Sequence, residues 1–219
     1  MTPELIIFDC DGVLIDSETI TCQIIARELT ACGLAITADE IHRGYTGIPT
    51  IDMFAELETL RGSKLPEDFS THAEACVVAE YRKSLSAIEG VAETIALLPG
   101  RKCVASSSKP AKLCIGLIET GLFQFFYPEI YSTSLVPRGK PAPDIFLYAA
   151  KRMGVAPETC IVVEDSVAGV TAARAACMRV IGFAGGSHCW DGYADELRKT
   201  GVDGLTSRFA DIPNIIGAL

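Results

Sequence analysis

Leu5-Ile6-Ile7-Phe8-Asp9-Cys10-Asp11-Gly12-Val13-Leu14-Ile15-Asp16-Ser17-Glu18 decides how the rest of the chain is read. Its first four residues form a short apolar run that suits a buried strand, and two carboxylates one residue apart follow before a glycine turns the chain. Side chains alternate along a strand, so Asp9 and Asp11 can leave on one side while Cys10 points away. At the carboxyl end of a parallel strand, that pair would stand in the crevice where open α/β sheets bind ligands. One acid could bind a cation or attack an electrophile, and the other could move a proton. The same residues also suit an ordinary strand followed by an Asp-Gly turn.

Three further segments have a comparable shape. Lys102-Cys103-Val104-Ala105-Ser106-Ser107-Ser108-Lys109-Pro110 is a strand running into serines and a helix start. Hydroxyls and free backbone N–H groups there could hold an anion, or a serine could simply cap the helix. Pro137-Arg138-Gly139-Lys140-Pro141-Ala142-Pro143-Asp144 is a restricted loop that could aim Lys140 at a fixed point, although turn lysines are mostly solvated. Ile161-Val162-Val163-Glu164-Asp165-Ser166-Val167-Ala168-Gly169 is a second apolar strand ending in adjacent acids. Charge beside a core is costly and a cation would offset it, whereas Asp165 or Ser166 as a helix cap is the plainer reading.

The 219 residues carry a net charge of −9 and are 49% hydrophobic, which supports a sizeable core. The lack of a long basic run argues against a nucleic-acid surface, while a local basic pocket for an anionic substrate stays possible. The nine cysteines form no CxxC pair, and Cys10, Cys103 and Cys160 lie in or beside apolar strands, as expected in a reducing compartment. The opening Met1-Thr2-Pro3-Glu4 has no basic start or apolar stretch, and no run is long enough to span a bilayer. A cytoplasmic protein with no membrane partner is expected. His42, His72 and His188 show no ligand-like spacing and read as surface or interface histidines.

Apolar runs at Leu5-Phe8, Lys102-Ala105, Ile130-Tyr131, Thr159-Val163 and Arg179-Phe183 predict strands, and Pro110-Thr120 and Pro143-Met153 predict helices stopped by glycines. This alternation predicts an α/β fold: a Rossmann-like parallel sheet with helices on both faces. Between about Ser17 and Ala87 the rhythm breaks, and three helical patterns appear around Ile20-Leu29, Ile51-Leu60 and Phe69-Tyr81. The expected organisation is a core of residues 1–16 and 88–219 with an all-helical cap, 17–87, inserted after the first strand.

In this order the four segments resemble the motifs of the haloacid dehalogenase-like (HAD) superfamily, and the likeness covers essentially the whole chain. The helical insert resembles the cap of the subgroup containing β-phosphoglucomutase, phosphoglycolate phosphatase and sugar-phosphate phosphatases. The resemblance implies that Asp9 is a nucleophile forming an aspartyl-phosphate, and that Asp11 is general acid and then base. Ser106, with Ser107 beside it, would bind a phosphoryl oxygen, and Lys140 would neutralise the phosphate and orient Asp9. Mg²⁺ would be held by Asp9, the Asp11 carbonyl and Asp165, with Glu164 supporting a metal-bound water. Because Asp11 must be protonated for the first step, its pKa is expected to be raised. Tyr45 and Thr46, in the Gly44-Pro49 segment, are candidates for contact with the leaving group.

Asp11 argues against dehalogenases, which lack that acid, and against phosphonatases, which place alanine there. The mutase is the rival reading. Its cap histidine, lysine and arginine correspond by eye to Thr21, Thr46 and Thr50, which cannot grip a second phosphate by charge. The expected activity is hydrolysis of a small phosphorylated metabolite by a monomer or homodimer. A non-catalytic binding protein on the same fold is the alternative from another class.

Overall fold

The computed structural model describes residues 3–45 and 50–219. Strand β1 (Leu5–Phe8) is followed by helices α1 (Glu18–Ala31), α2 (Ala38–Tyr45), α3 (Thr50–Arg61), α4 (Phe69–Ser84) and α5 (Val91–Leu97). Then come β2 (Arg101–Ser106), α6 (Pro110–Glu119), α7 (Phe123–Phe126), β3 (Ile130–Ser132), α8 (Asp144–Met153) and β4 (Cys160–Glu164). The chain closes with α9 (Val167–Ala175), β5 (Arg179–Phe183), α10 (Tyr193–Lys199), β6 (Gly204–Thr206) and α11 (Ile212–Ala218).

The six strands form one parallel sheet in the order β3-β2-β1-β4-β5-β6. The order reverses between β1 and β4, and the crevice at such a reversal is where doubly wound sheets take ligands. Every residue of β1 and β4 is buried, because helices cover both faces. Ile6 and Phe8 point into a core with Val104, Leu113, Phe126, Phe209 and Ile212. Leu5 and Ile7 point the other way, toward Ile145, Phe146, Ala149 and Leu197.

Helices α1 to α4 have a separate apolar centre. Cys22, Ile25, Ala26 and Leu29 recur at helical spacing on α1 and meet Ile41, Met53, Phe54, Phe69 and Ala73. The strands leading out of and back into the sheet run side by side. Ile15 bridges Ala87, the Asp16 N–H donates to the Ser86 carbonyl at 2.9 Å, and the Ile88 N–H donates to the Leu14 carbonyl at 3.0 Å.

The five expected strands are present, and the parallel α/β architecture is the one observed. Strand β6 and helices α2, α5, α7, α9, α10 and α11 are additional to the segments named from the sequence. α2 has eight residues with Ile41 and His42 buried, and β6 has three that are only half-buried on the sheet edge, so both are short segments to read from sequence. Among the described residues, no helix is long and apolar enough to cross a membrane.

Candidate active site

Asp9 immediately follows β1, Ser106 ends β2, and Glu164 with Asp165 ends β4, so neighbouring parallel strands deliver four polar residues to one crevice. The Asp9 N–H continues the ladder to the Val163 carbonyl at 3.0 Å, which fixes the carboxylate at the strand end. Gly12 then turns the chain at φ +76°, and a Cβ there would lie 2.0 Å from Asp165 Oδ2. The first loop can therefore close over the second acidic motif only with glycine at this point.

Lys140 is buried among these groups. Its Nζ donates to Asp9 Oδ1 at 2.6 Å, to the Ala105 carbonyl at 3.1 Å and to Glu164 Oε1 at 2.5 Å. An exposed Arg138–Asp144 fork, at 3.1 and 2.8 Å, ties down the loop that carries it. Burial favours a neutral Lys140, but Asp9 and Glu164 outweigh it and hold the ammonium well above its ordinary pKa. Burial pushes the Asp9 carboxyl well up despite Lys140, with Glu164, Asp165 and Asp11 adding to the rise. The other Glu164 oxygen accepts from the Ser166 N–H and hydroxyl, each at 3.1 Å. Ser166 caps α9 by accepting from the Gly169 N–H at 3.0 Å, which leaves the Asp165 carboxylate for the crevice.

Asp9, Glu164 and Asp165 each offer a carboxylate oxygen, and these lie within 4.8 Å of one another. An all-oxygen set of hard donors fits Mg²⁺, and three buried acids beside one lysine leave negative charge that a cation would offset. With both Glu164 oxygens bonded to Lys140 and Ser166, Asp9 and Asp165 are the acids whose geometry suits direct ligation.

Asp11 departs from expectation. Burial tends to raise its pKa, yet Lys112 and the hydroxyls of Ser108 and Ser17 prevail and hold the carboxyl below its ordinary value. Lys112 Nζ stands 3.6 Å from Oδ1, Ser17 donates to Oδ1 at 2.6 Å, and Ser108 donates to Oδ2 at 2.6 Å. The expected rise is therefore corrected to a fall. Lys112 lies on α6, a hundred residues away, and nothing local to the first motif announces it.

Ser106 is buried, accepts from the Ser108 N–H at 3.0 Å and donates to Asp11 Oδ2 at 3.5 Å. Together with Ser107, it lines a cavity of about 480 Å³ shared by Asp9, Asp11, Lys140 and Asp165. The helices after β1 form the far wall, through Thr21, Cys22, Ile25, Ile41, Tyr45, Thr50, Phe54 and Val77. The Tyr45 hydroxyl donates to Glu56 at 3.4 Å, and Thr46 lies outside the described residues.

His72 is a surface histidine, whereas His42 and His188 sit at an interface. His188, on the loop after β5, is buried with Nε2 3.0 Å from Asp165 Oδ2, and its ring lies 5.4 Å from that of His42 on α2. His72 meets Glu28 at 3.1 Å and Cys76 at 3.6 Å on the outer side of α1 and α4. Apart from the His72–Cys76 pair, four residues apart on α4, these contacts join elements distant in sequence.

The family described as haloacid dehalogenase-like hydrolase matches residues 3–176. The chain is 28% identical to 6-phosphogluconate phosphatase of Escherichia coli K12, covering 84% of each chain. It is 33% identical to hexitol phosphatase B of the same strain, covering 80% of this chain and 81% of the relative. A haloacid dehalogenase-like protein of unknown function from Agrobacterium tumefaciens C58 superposes with a TM-score of 0.87 at 38% identity, covering 98% of both chains. A HAD family hydrolase from Deinococcus radiodurans R1, solved with bound phosphate and sodium, gives 0.78 at 32% identity, covering 96% of this chain and 93% of that one.

Proposed function

Because the chain belongs to the haloacid dehalogenase-like hydrolases, we propose that it is a Mg²⁺-dependent phosphatase of a small phosphorylated metabolite, a sugar or sugar-acid phosphate, working through an aspartyl-phosphate on Asp9. One observation carries this reading: Asp9, Asp11, Ser106, Lys140 and Asp165 converge from separate segments on one cavity.

Lys140 takes Oδ1 of Asp9 and so orients the carboxylate, leaving Oδ2 as the attacking atom. Attack forms the Asp9 O–P bond and breaks the P–O bond to the substrate alcohol, which takes a proton from Asp11. Asp11 then accepts a proton from the water that attacks phosphorus, inorganic phosphate leaves, and the Asp9 carboxylate is restored. A phosphate dianion entering beside Asp11 counters the pull of Lys112 and favours the protonated carboxyl that the first step needs. Ser106 and Ser107 line the cavity, which supports their holding phosphoryl oxygens. Mg²⁺, held by Asp9, Asp165 and the Asp11 carbonyl, supplies the positive charge that lets an anionic nucleophile meet an anionic phosphate. The helices between β1 and β2 wall off the leaving group and exclude bulk water, as expected of a cap over residues 17–87.

A sugar or sugar-acid phosphate draws support from the phosphatases named among the relatives. Hydrolysis is favoured over phosphoryl isomerisation because Thr21 and Thr50, which line the cavity at positions matching the mutase's cap histidine and arginine, carry no charge. The test is phosphate release from glucose 1-phosphates, 6-phosphogluconate, phosphoglycolate and sugar-alcohol phosphates, with and without EDTA, beside Asp9→Asn. Release requiring both Mg²⁺ and Asp9 is expected. Residual turnover above a few per cent in Asp9→Asn removes the covalent role, and conversion of β-glucose 1-phosphate to glucose 6-phosphate without release establishes the mutase.

A further inference from the structure

The proposed chemistry uses no histidine, yet one is built tightly into the site. The His188 side chain is fully buried, with Nε2 paired to Asp165 Oδ2 at 3.0 Å and 3.6 Å from Cys189 Sγ. Among the described residues, its Nδ1 has no hydrogen-bond partner. That nitrogen faces Gly186, where a Cβ would lie 2.4 Å away, and a Cβ on Gly12 would lie 2.7 Å from the ring's Cε1. Two glycines thus make room for a ring whose Nε2 stands closest to one carboxylate.

The remaining sides of the ring are walled by aromatic groups. Tyr193 lies 5.5 Å from it edge-on, and the Tyr193 hydroxyl donates to the Asp165 carbonyl at 2.7 Å. Asp165 is therefore gripped at its side chain and its main chain by two residues that pack on each other. His42, from α2 of the helical insert, also meets the ring edge-on, at 5.4 Å. Trp190 bridges the cluster, 5.1 Å from His42 and 4.7 Å from Tyr193, with the Arg43 guanidinium 5.8 Å above its ring. The same loop meets the insert's root, where the Ser187 N–H donates to Asp16 Oδ1 at 3.0 Å and the Ser187 hydroxyl pairs with that of Thr19 at 2.8 Å.

We propose that His188 is a positioning residue that aims the Asp165 carboxylate for the metal, and that His42 holds the ring in place, so that seating of α2 and order at the metal site are coupled. The proposal rests on the metal site of the phosphatase reading but not on turnover. A carboxylate free to rotate must be ordered by each arriving ion, whereas one fixed by a donor is already oriented. Both the charged ring and the neutral Nε2–H tautomer carry a proton on Nε2, so either can hold the carboxylate. Hydrogen-bond partners of metal ligands are commonly worth about 10–100-fold in affinity.

The experiment is Mn²⁺ binding to the substrate-free protein, read by the electron paramagnetic resonance of the free ion. His188→Leu keeps the bulk and removes the donor, and should weaken Mn²⁺ binding at least ~10-fold. His188→Gln places an amide N–H near the position of Nε2 and should bind within about threefold of wild type, whereas His188→Asn falls short of Asp165 and should resemble Leu. The Gln–Asn comparison decides the matter even when His188→Leu does not fold. Folded Leu and Gln variants of equal affinity, Asn matching Gln, or tighter binding in the Leu variant overturns the donor role. His42→Ala should weaken binding by about threefold or more, and wild-type affinity there removes the coupling to α2. Normal His188 dependence of Mn²⁺ binding in a protein that hydrolyses no phosphate ester would remove the phosphatase reading and leave this clamp standing.

Discussion

Lys140 and Asp9 lie 131 residues apart in the chain and 2.6 Å apart in space, both almost wholly buried, with Glu164 on the same ammonium. The lysine sets the orientation of the nucleophilic carboxylate and keeps two buried acids from facing each other without compensation.

Removing that ammonium should be costly for the fold as well as for turnover. Lys140→Met leaves Asp9 and Glu164 without their cation, and breaking a buried pair typically costs about 3–5 kcal/mol. Urea unfolding of the metal-free protein should show a loss of that order. Adding Glu164→Gln to it should recover part of the loss, because one of the stranded charges is then gone. Strictly additive effects of the two changes would show that the pair is not energetically linked.

Gly12→Ala should preserve the fold and damage the site. The new methyl would fall 2.0 Å from Asp165 Oδ2, at a backbone φ of +76° that side chains rarely adopt. Asp165 must then move, and displacements of about 1 Å can cost on the order of 100-fold in rate. Phosphate release and Mn²⁺ affinity should both fall while the circular dichroism spectrum is retained. Wild-type metal affinity would contradict the close approach of these two loops.

Ser108→Ala removes a 2.6 Å hydrogen bond to Asp11 and keeps the Ser108 N–H that donates to Ser106. The carboxylate keeps Ser17 and Lys112, so stability should change by only about 1 kcal/mol. The proton-transferring group is nevertheless less well aimed, and kcat should drop about tenfold with KM little changed. A rise in KM with unchanged kcat would assign Ser108 to substrate binding instead.

Glu18 lines the cavity at the start of α1, and burial, followed by the charge of Asp11, pushes its carboxyl up to about 7 although Lys112 opposes the shift. The unfolded chain releases this proton near 4.5, so between pH 4.5 and 7 the folded state holds a proton that the unfolded state has lost. Stability therefore falls as pH rises through that window, with the full penalty present above it. Glu18→Gln has no such penalty, and its advantage in urea midpoint should be absent at the acid end and open as pH climbs to 7. Parallel stability curves for the two proteins would contradict the burial of this carboxyl.

The sequence by itself determined the sheet and the acids at its edge. Strands buried on both faces leave unbroken apolar runs, and Leu5–Phe8 and Cys160–Glu164 are such runs ending where charge begins, so their position along the chain already places Asp9 and Asp165 at one rim. The helices α1 and α4 were legible for a related reason, since each buries a stripe at helical spacing. Only the tertiary structure decided what surrounds those acids. Lys112 reaching Asp11, Ser108 beside it, and the His42–His188–Asp165 contact all join segments distant in sequence. The protonation of Asp11 was misjudged from sequence for the same reason. A pKa follows from the charges and donors within a few ångströms, and folding brings those together without leaving a local periodicity to read.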